Sequence, residues 1–294
     1  MAYTGTIPDA GTSSEDESYV EQFKANVTQL AQQKMSRLKM CVRNESCRGE
    51  YHNFERIGST DAHVKTTRHA LTPIMDTPHS RRKVAMTDYQ WGDLVDEEDK
   101  IRMLISPESA YAQSGAMAMG RAYDSNILTN LLGAATAGDG SSVAFDTTNQ
   151  QIVAGGTGMT ISKLIQAKEI LDANEVATEG RYFVLKGDDM TDLLNTVEAT
   201  SADYNTIKAL YEGTINYFMG FQFIRTELVN TTTSVNDCVA FQKDCVGLAI
   251  GRDLITRMDV RPDVSYAHQV YLAFSACSTR IDDAGVVWVK TDHS

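Results

Sequence analysis

One feature near the C-terminal end limits this chain more than any other: a long run in which apolar and polar residues alternate. Between positions 254 and 276 the even positions Leu254, Met258, Val260, Val264, Tyr266, Val270, Leu272, Phe274 and Ala276 are largely apolar, while the odd positions, among them Arg257, Asp259, Gln269 and Ser275, are more polar. Successive side chains of a strand point to opposite faces, so a period of two over this length specifies strand with one covered face. Pro262-Asp263 supplies the turn between two arms. Strands ordinarily run about five or six residues, and this alternating arm runs two to three times that.

A ribbon of that length needs an equally long cover. Ser106-Pro107-Glu108 carries the signals of a helix start: a hydroxyl that can accept orphan N–H groups, a proline suited to the first turn, and an acid at the positive end. Tyr111, Gly115, Met119, Tyr123, Ile127 and Leu131 then recur every four residues, and Gly133 is a fitting stop. The spacing predicts a helix over 106–133, a rod of roughly 40 Å at about 1.5 Å per residue. Gly115, Ala116, Ala118, Gly120 and Ala122 keep the rod thin enough for a sheet to approach closely. A long helix beside a long ribbon makes a girder, not a catalytic cup.

The remaining segments are read in the same way. Residues 1–18 are rich in Thr, Ser, Gly and acid and are expected to form a flexible arm. Val20, Phe23, Val27, Leu30, Ala31, Met35 and Leu38 step by threes and fours and predict an amphipathic helix from Tyr19 to Met40. Within 46–98, two strand-like stretches, 51–57 and 84–95, flank a polar middle with Pro73 and Pro78, a hairpin-like excursion too poor in apolar residues for a core of its own. A glycine-rich loop over 133–158 leads to a helix over 160–173, a buried strand over 182–185, and short helices near 189–194 and 204–211. Ile215, Tyr217, Met219, Phe221 and Phe223 alternate and predict one strand.

Charge and cysteine usage remove several classes of function. The 294 residues carry 27 Lys+Arg against 39 Asp+Glu, a net −12, and such a chain repels phosphate backbones and is not expected to read DNA sequence. The five cysteines include no pair at the spacing of a zinc knuckle or redox motif and read as reduced thiols. Residues 1–20 hold four acids and no base, unlike a signal peptide, and the apolar stretch 110–137 contains Arg121 and Asp124, so no membrane span is expected and the chain is placed in the cytoplasm.

Motifs for chemistry are missing. Gly155-Gly156-Thr157-Gly158 lacks the Gly-Lys-Ser/Thr of a phosphate loop and reads as a flexible loop. His52, His63, His69 and His79 have no metal spacing and read as exposed loop residues. Asp188, Asp189 and Asp192 read as helix-capping groups. No catalytic, cofactor-binding or metal residue is assigned. Charge is distributed more tellingly: between Asp61 and Lys83 the bases Lys65, Arg68, Arg81, Arg82 and Lys83 face only two acids, a net +3, and Asp93, Asp96, Glu97, Glu98 and Asp99 follow. A basic tip and an acidic base on one hairpin suggest that the tip of one copy reaches the base of another. The expected subunit contact therefore involves Arg68, Arg81, Arg82 and Lys83 with Asp96, Glu97, Glu98 and Asp99.

The order arm, long hairpin, spine helix, mixed α/β lobe and long ribbon resembles the Hong Kong 97-type capsid fold. Four stretches, Thr77–Val84, Asp88–Lys100, Thr200–Leu210 and Gly213–Glu227, resemble one family of tailed-phage major capsid proteins. The resemblance implies an α+β fold with an N-terminal arm (1–45), an extended hairpin loop (46–98), a peripheral domain with spine helix and ribbon (99–150 and 246–280), and an axial domain (151–245 and 281–294). It implies a non-enzymatic shell protein that self-assembles as hexamers and pentamers into an icosahedral capsid around double-stranded DNA. Its expected partners are other copies, a separate scaffolding protein, a portal protein and a decoration or cement protein. Its expected place is the virion, after assembly in the host bacterial cytoplasm. An encapsulin-like nanocompartment shell shares the fold and is the nearest alternative; a mixed α/β enzyme is the more distant one.

Overall fold

The computed structural model describes residues 32–96, 107–197 and 217–294. The alternating tail folds as expected into a two-stranded ribbon, β13 (Val246–Arg261) and β14 (Ala267–Arg280), antiparallel from Val246↔Arg280 to Arg261↔Ala267. Pro262 opens the turn, which Ser265 and Tyr266 close with positive φ. Two flanking strands complete this sheet in the order β1-β13-β14-β4, where β1 is Arg43–Ser46 and β4 is Asp88–Val95. β1 reaches only Gly247–Ile250 of β13, so among the described residues the distal half of β13 is an open edge.

Across this sheet lies α1 (Pro107–Leu132), and the stripe read from the sequence is the stripe that is covered: Met119, Tyr123, Ile127 and Leu131 are buried against Val270, Leu272, Phe274 and Ala276. Tyr123 and Phe274 stack at 3.9 Å between ring centroids, with Tyr89 on the other side of Phe274 at 4.8 Å. The helix is centred over β14 and β4, which leaves Met258 and Val260 of distal β13 49% and 48% exposed. The expected covered face of the ribbon is therefore only half covered within one chain.

The two glycines of the helix differ in role. A Cβ on Gly115 would lie 2.6 Å from Trp91 Cε3 and 2.8 Å from Leu272 Cδ1, so this glycine is what admits the sheet. A Cβ on Gly120 would instead meet backbone, Ser36 N at 3.0 Å and Met35 C at 3.2 Å, and the expectation that both glycines face the sheet is corrected. Gly115→Leu should overpack and lower stability by about 1–3 kcal/mol, while Gly120→Leu should loosen only residues 32–38. Urea unfolding checks both, and an unchanged midpoint for Gly115→Leu would refute the packing argument.

Several sequence readings change. Of the helix expected over 19–40, residues 19–31 lie outside the described residues, and 32–38 are not helical; only Lys39–Cys41 forms a 3-10 turn. The buried Asp124 carboxylate of α1 is the cause: it accepts from Arg37 N (2.9 Å), Leu38 N (3.0 Å), Ser36 Oγ (2.5 Å) and Gln33 Nε2, so donors that a helix would use go to a side chain instead. The strand expected over 84–95 is two strands in different sheets. β2 (Tyr51–Ile57) pairs with β3 (His79–Ala85) to make the hairpin, whereas β4 runs beside β14. The loop over 133–158 contains β5 (Ala135–Ala137), β6 (Ser142–Val143) and β7 (Gln151–Ile152), and β5 and β6 extend the hairpin sheet in the order β2-β3-β5-β6.

The second lobe is a seven-stranded sheet ordered β7-β15-β12-β8-β10-β9, with β11 beside β12. Its strands are β8 (Arg181–Leu185), β9 (Tyr217–Phe218), β10 (Phe221–Arg225), β11 (Thr231–Thr232), β12 (Val235–Gln242) and β15 (Val286–Asp292). Helices α2 (Ile161–Ala173) and α3 (Gly187–Val197) contribute Leu164, Leu171, Met190 and Leu193 to its core. The strand expected over 215–223 is a tight hairpin within the described residues. Met219 (φ 52°) and Gly220 (φ 91°) form a two-residue turn between Phe218 and Phe221. The helix expected near 204–211 lies outside the described residues.

Candidate assembly surface

The β2–β3 hairpin has a fixed root and a free end. At the root Phe54 is buried against Gly247, where even a Cβ would sit 2.5 Å from the ring, and Val84 joins the same cluster with Cys47, Ala249, Cys277 and Ile281. Gly58 N donates to Pro78 O (2.9 Å) and closes the paired region. Beyond it, residues 59–76 are exposed and belong to no sheet. Leu71 and Ile74 are each 97% exposed, and Val64 is also open, so the end of the hairpin carries apolar side chains left uncovered by the described residues.

The predicted contact residues do not lie together. Arg68 is at the exposed end. Arg81, Arg82 and Lys83 are on β3 at the root: Arg81 pairs with Glu55 (3.3 Å), and the Lys83 ammonium sits 3.9 Å from the centre of the Tyr51 ring. Arg82 is 5% exposed and donates from Nη2 to Asp283 Oδ2 (2.6 Å). Asp96 is exposed at the end of β4, and Glu97, Glu98 and Asp99 lie outside the described residues. The picture of a basic tip is corrected: residues 58–78 hold Lys65 and Arg68 against Asp61 and Asp76 and balance to zero. His52 is not a loop residue either; its Nε2 lies 2.9 Å from Glu45 Oε2 and its ring meets Phe54 edge-on.

Two buried polar centres were read differently from the sequence. Asp189, fully buried, accepts from Thr291 Oγ1 (2.5 Å), His293 Nε2 (2.8 Å), Cys238 Sγ (3.1 Å), Lys186 N (3.2 Å) and Asn236 Nδ2 (3.3 Å). The expected cap is thus one of five roles of a hub that ties β15 and β12 to α3. Burial pushes its pKa up, but the hydrogen bonds from Thr291, Cys238, His293 and Lys186 outweigh burial and hold it below the ordinary range. His293 Nδ1 also meets Asp192 Oδ2 at 3.2 Å. Cys238 is a poor nucleophile because burial, and then Asp189, raise its thiol well above normal.

The second centre is Lys163. Its buried ammonium lies within hydrogen-bond reach of four carbonyls that share its three N–H donors: Ala154 O (2.9 Å), Thr157 O (2.7 Å), Gly158 O (3.0 Å) and Lys290 O (3.0 Å). The glycine-rich loop, with Gly155 and Gly156 at φ 62° and 64°, therefore wraps carbonyls around the chain's own cation. A phosphate cradle requires the opposite, N–H groups turned inward. Among the described residues no group of His, Cys, Asp or Glu has the geometry of a metal site, and no helix is long and apolar enough to cross a membrane.

These features, apolar and polar groups held out beyond an anchored hairpin root and buried centres that brace the fold, suit a protein that works by contact with copies of itself. Comparison with known proteins agrees. Residues 16–293 match the family described as phage capsid protein. No curated protein matches the sequence. The capsid of the cyanophage P-SCSP1u is similar in structure at a TM-score of 0.73, with 14% identity, covering 99% of this chain and 98% of that one. The capsid of Ralstonia phage GP4 gives 0.75 at 11% identity with 99% of both chains covered, and the capsid of a native GTA particle gives 0.71 at 12% identity over 98% and 100%. At those identities the likeness establishes the fold, and the family match over most of the chain establishes the role: this chain belongs to the phage capsid protein family and is a structural subunit of a capsid shell.

Proposed function

We propose that this major capsid subunit closes its shell by laying the end of its β2–β3 hairpin on an adjacent copy, with Leu71 and Ile74 covered there. The observation that carries this reading is a pair of nearly fully exposed large apolar side chains on an extension whose root is locked into the body. An apolar end on a rigid arm gains a core only from another molecule, and a shell multiplies each weak contact through effective concentration. The shell is icosahedral, built of hexamers and pentamers around double-stranded DNA, with a separate scaffolding protein, a portal protein and a decoration or cement protein as partners, and it assembles in the host bacterial cytoplasm. In that scheme the hairpin and its flanks (46–98) are the extended loop, α1 and the ribbon the peripheral domain, and the seven-stranded lobe the axial domain. The net −12 charge supports a wall that holds DNA without gripping it.

Leu71→Asp with Ile74→Asp should leave the monomer folded by circular dichroism and cut particle yield, seen by sedimentation and electron microscopy, at least tenfold. Normal particle yield would overturn the docking proposal. Charge adds a second contact in which the exposed Arg68 faces Asp96, Glu97, Glu98 or Asp99 of a neighbour. Arg68→Glu tests that contact. A change at Arg82 cannot, because Arg82 is paired with Asp283 inside its own chain.

A further inference from the structure

Three elements meet at one carboxylate. Asp283 lies on the 3-10 turn Asp283–Gly285 between β14 and β15. Its Oδ2 accepts from Arg82 Nη2 of the hairpin strand β3 (2.6 Å), and its Oδ1 accepts from Arg280 Nε. Arg280 is fully buried at the end of the ribbon. From there its Nη1 donates to Leu131 O (2.8 Å) and Gly133 O (2.9 Å), the terminal carbonyls of α1, and its guanidinium lies 4.9 Å from the centre of the Phe145 ring. These carbonyls form the negative end of the helix, where a cation is favoured. The other hairpin strand is held in parallel, Arg56 Nη2 of β2 lying 3.5 Å from Asp282 Oδ1.

The energetics make the carboxylate the keystone. Arg82 and Arg280 are like charges, both buried, and each raises the cost of keeping the other; Asp283 is what neutralises them. Without it the two guanidiniums repel at low dielectric and the hairpin loses its polar tie to the helix end. The apolar root, Phe54 and Val84, is non-directional, and the β3–β5 ladder at Arg82↔Ala137 and Lys83↔Thr136 ties the hairpin to the segment after α1 but not to the helix end itself. Charge-assisted hydrogen bonds to both arginines add that directional grip.

We propose that Asp283 is the positioning residue that sets the angle of the hairpin against α1 and so decides where the hairpin end meets the next subunit. The proposal rests on the docking reading above. A single carboxylate gripping both the hairpin and, through Arg280, the end of the spine helix means that a tilt of the helix end is transmitted to the hairpin.

The test is amide hydrogen exchange on the full-length, unassembled chain, followed by assembly. Asp283→Ala should speed exchange at 51–57 and 79–85 at least tenfold while amides of β8 and β12 keep their protection, and particle yield should fall. Arg82→Gln, which leaves Asp283 on Arg280, should reproduce the hairpin effect and covers the case in which Asp283→Ala does not fold. Asp283→Glu, one methylene longer, should fold normally and give particles of altered or mixed diameter. Unchanged hairpin exchange in both Asp283→Ala and Arg82→Gln would overturn the proposal, as would equal acceleration across every sheet. Faster hairpin exchange with normal particles would overturn the positioning role as well, whereas the docking reading falls only if Leu71→Asp with Ile74→Asp assembles normally, so the two fail separately.

Discussion

Asp189→Ala should destabilise the second lobe by about 3–5 kcal/mol, because it removes a buried charge that several donors were arranged to meet. Thr291, His293, Asn236 and Cys238 would each lose an acceptor in a space largely closed to water. The result is measured as the urea unfolding midpoint at neutral pH. The same residue predicts an acid limb. Its folded pKa is held below the ordinary carboxylate value, so the unfolded chain takes up its proton first, at about pH 4, and the native state loses that stabilisation as the pH drops through the folded pKa. The contribution is fully present above about pH 4. Asp189→Asn, which cannot ionise, should therefore be less stable than wild type at pH 7 and should lose less between pH 5 and pH 3. Parallel loss in the two proteins would show that the hub does not contribute to the acid limb.

Lys163→Met should lower stability by about 2–4 kcal/mol. Methionine keeps the length and apolar body of the stem but takes the ammonium away from the carbonyls of Ala154, Thr157, Gly158 and Lys290, of which Ala154 O keeps Thr157 N and Oγ1 and Thr157 O keeps Asp292 N. The loop would then open to water, and exchange at 154–158 should rise along with the drop in melting temperature. Lys163→Arg should not rescue it. Acceptors gathered around one point suit a compact ammonium whose three donors they share, whereas a planar fork sends its donors outward in one plane. Full stability of either variant would mean that the loop holds its shape without the cation. Because Asp189 and Lys163 brace the same lobe, the double variant is expected to lose less than the sum of the two.

Local pattern revealed the large elements. The ribbon was legible because a strand facing a core must alternate, and its two arms run 16 and 14 residues as the pattern demanded. The helix was legible because Tyr111, Gly115, Met119, Tyr123, Ile127 and Leu131 repeat at a near-helical step, and Gly115 is the point of closest approach to Trp91 and Leu272. Where local and long-range demands compete, pattern misleads. Residues 32–38 have helical spacing, but Asp124, far away in sequence, takes their donors. Tyr217 to Phe223 alternates as a strand would, and Gly220 turns it into a hairpin.

The contact residues show the same division more sharply. Composition placed a charged, core-poor hairpin in the middle of the chain and, with the phrases that resemble tailed-phage capsid proteins, pointed to a shell. It could not separate Arg68 at the exposed end from Arg82 at the buried root, fourteen positions on, because charge along a sequence carries no information about depth. Alternation and four-residue steps are properties of a short stretch of backbone, so the sequence by itself determined the ribbon, the spine helix and the hairpin. Pairing Arg82 with Asp283, 201 positions away, or Thr291 with Asp189, 102 positions away, depends on long chain closures. Only the tertiary structure decided those partners, since burial turns a weak surface attraction into a contact that must be satisfied.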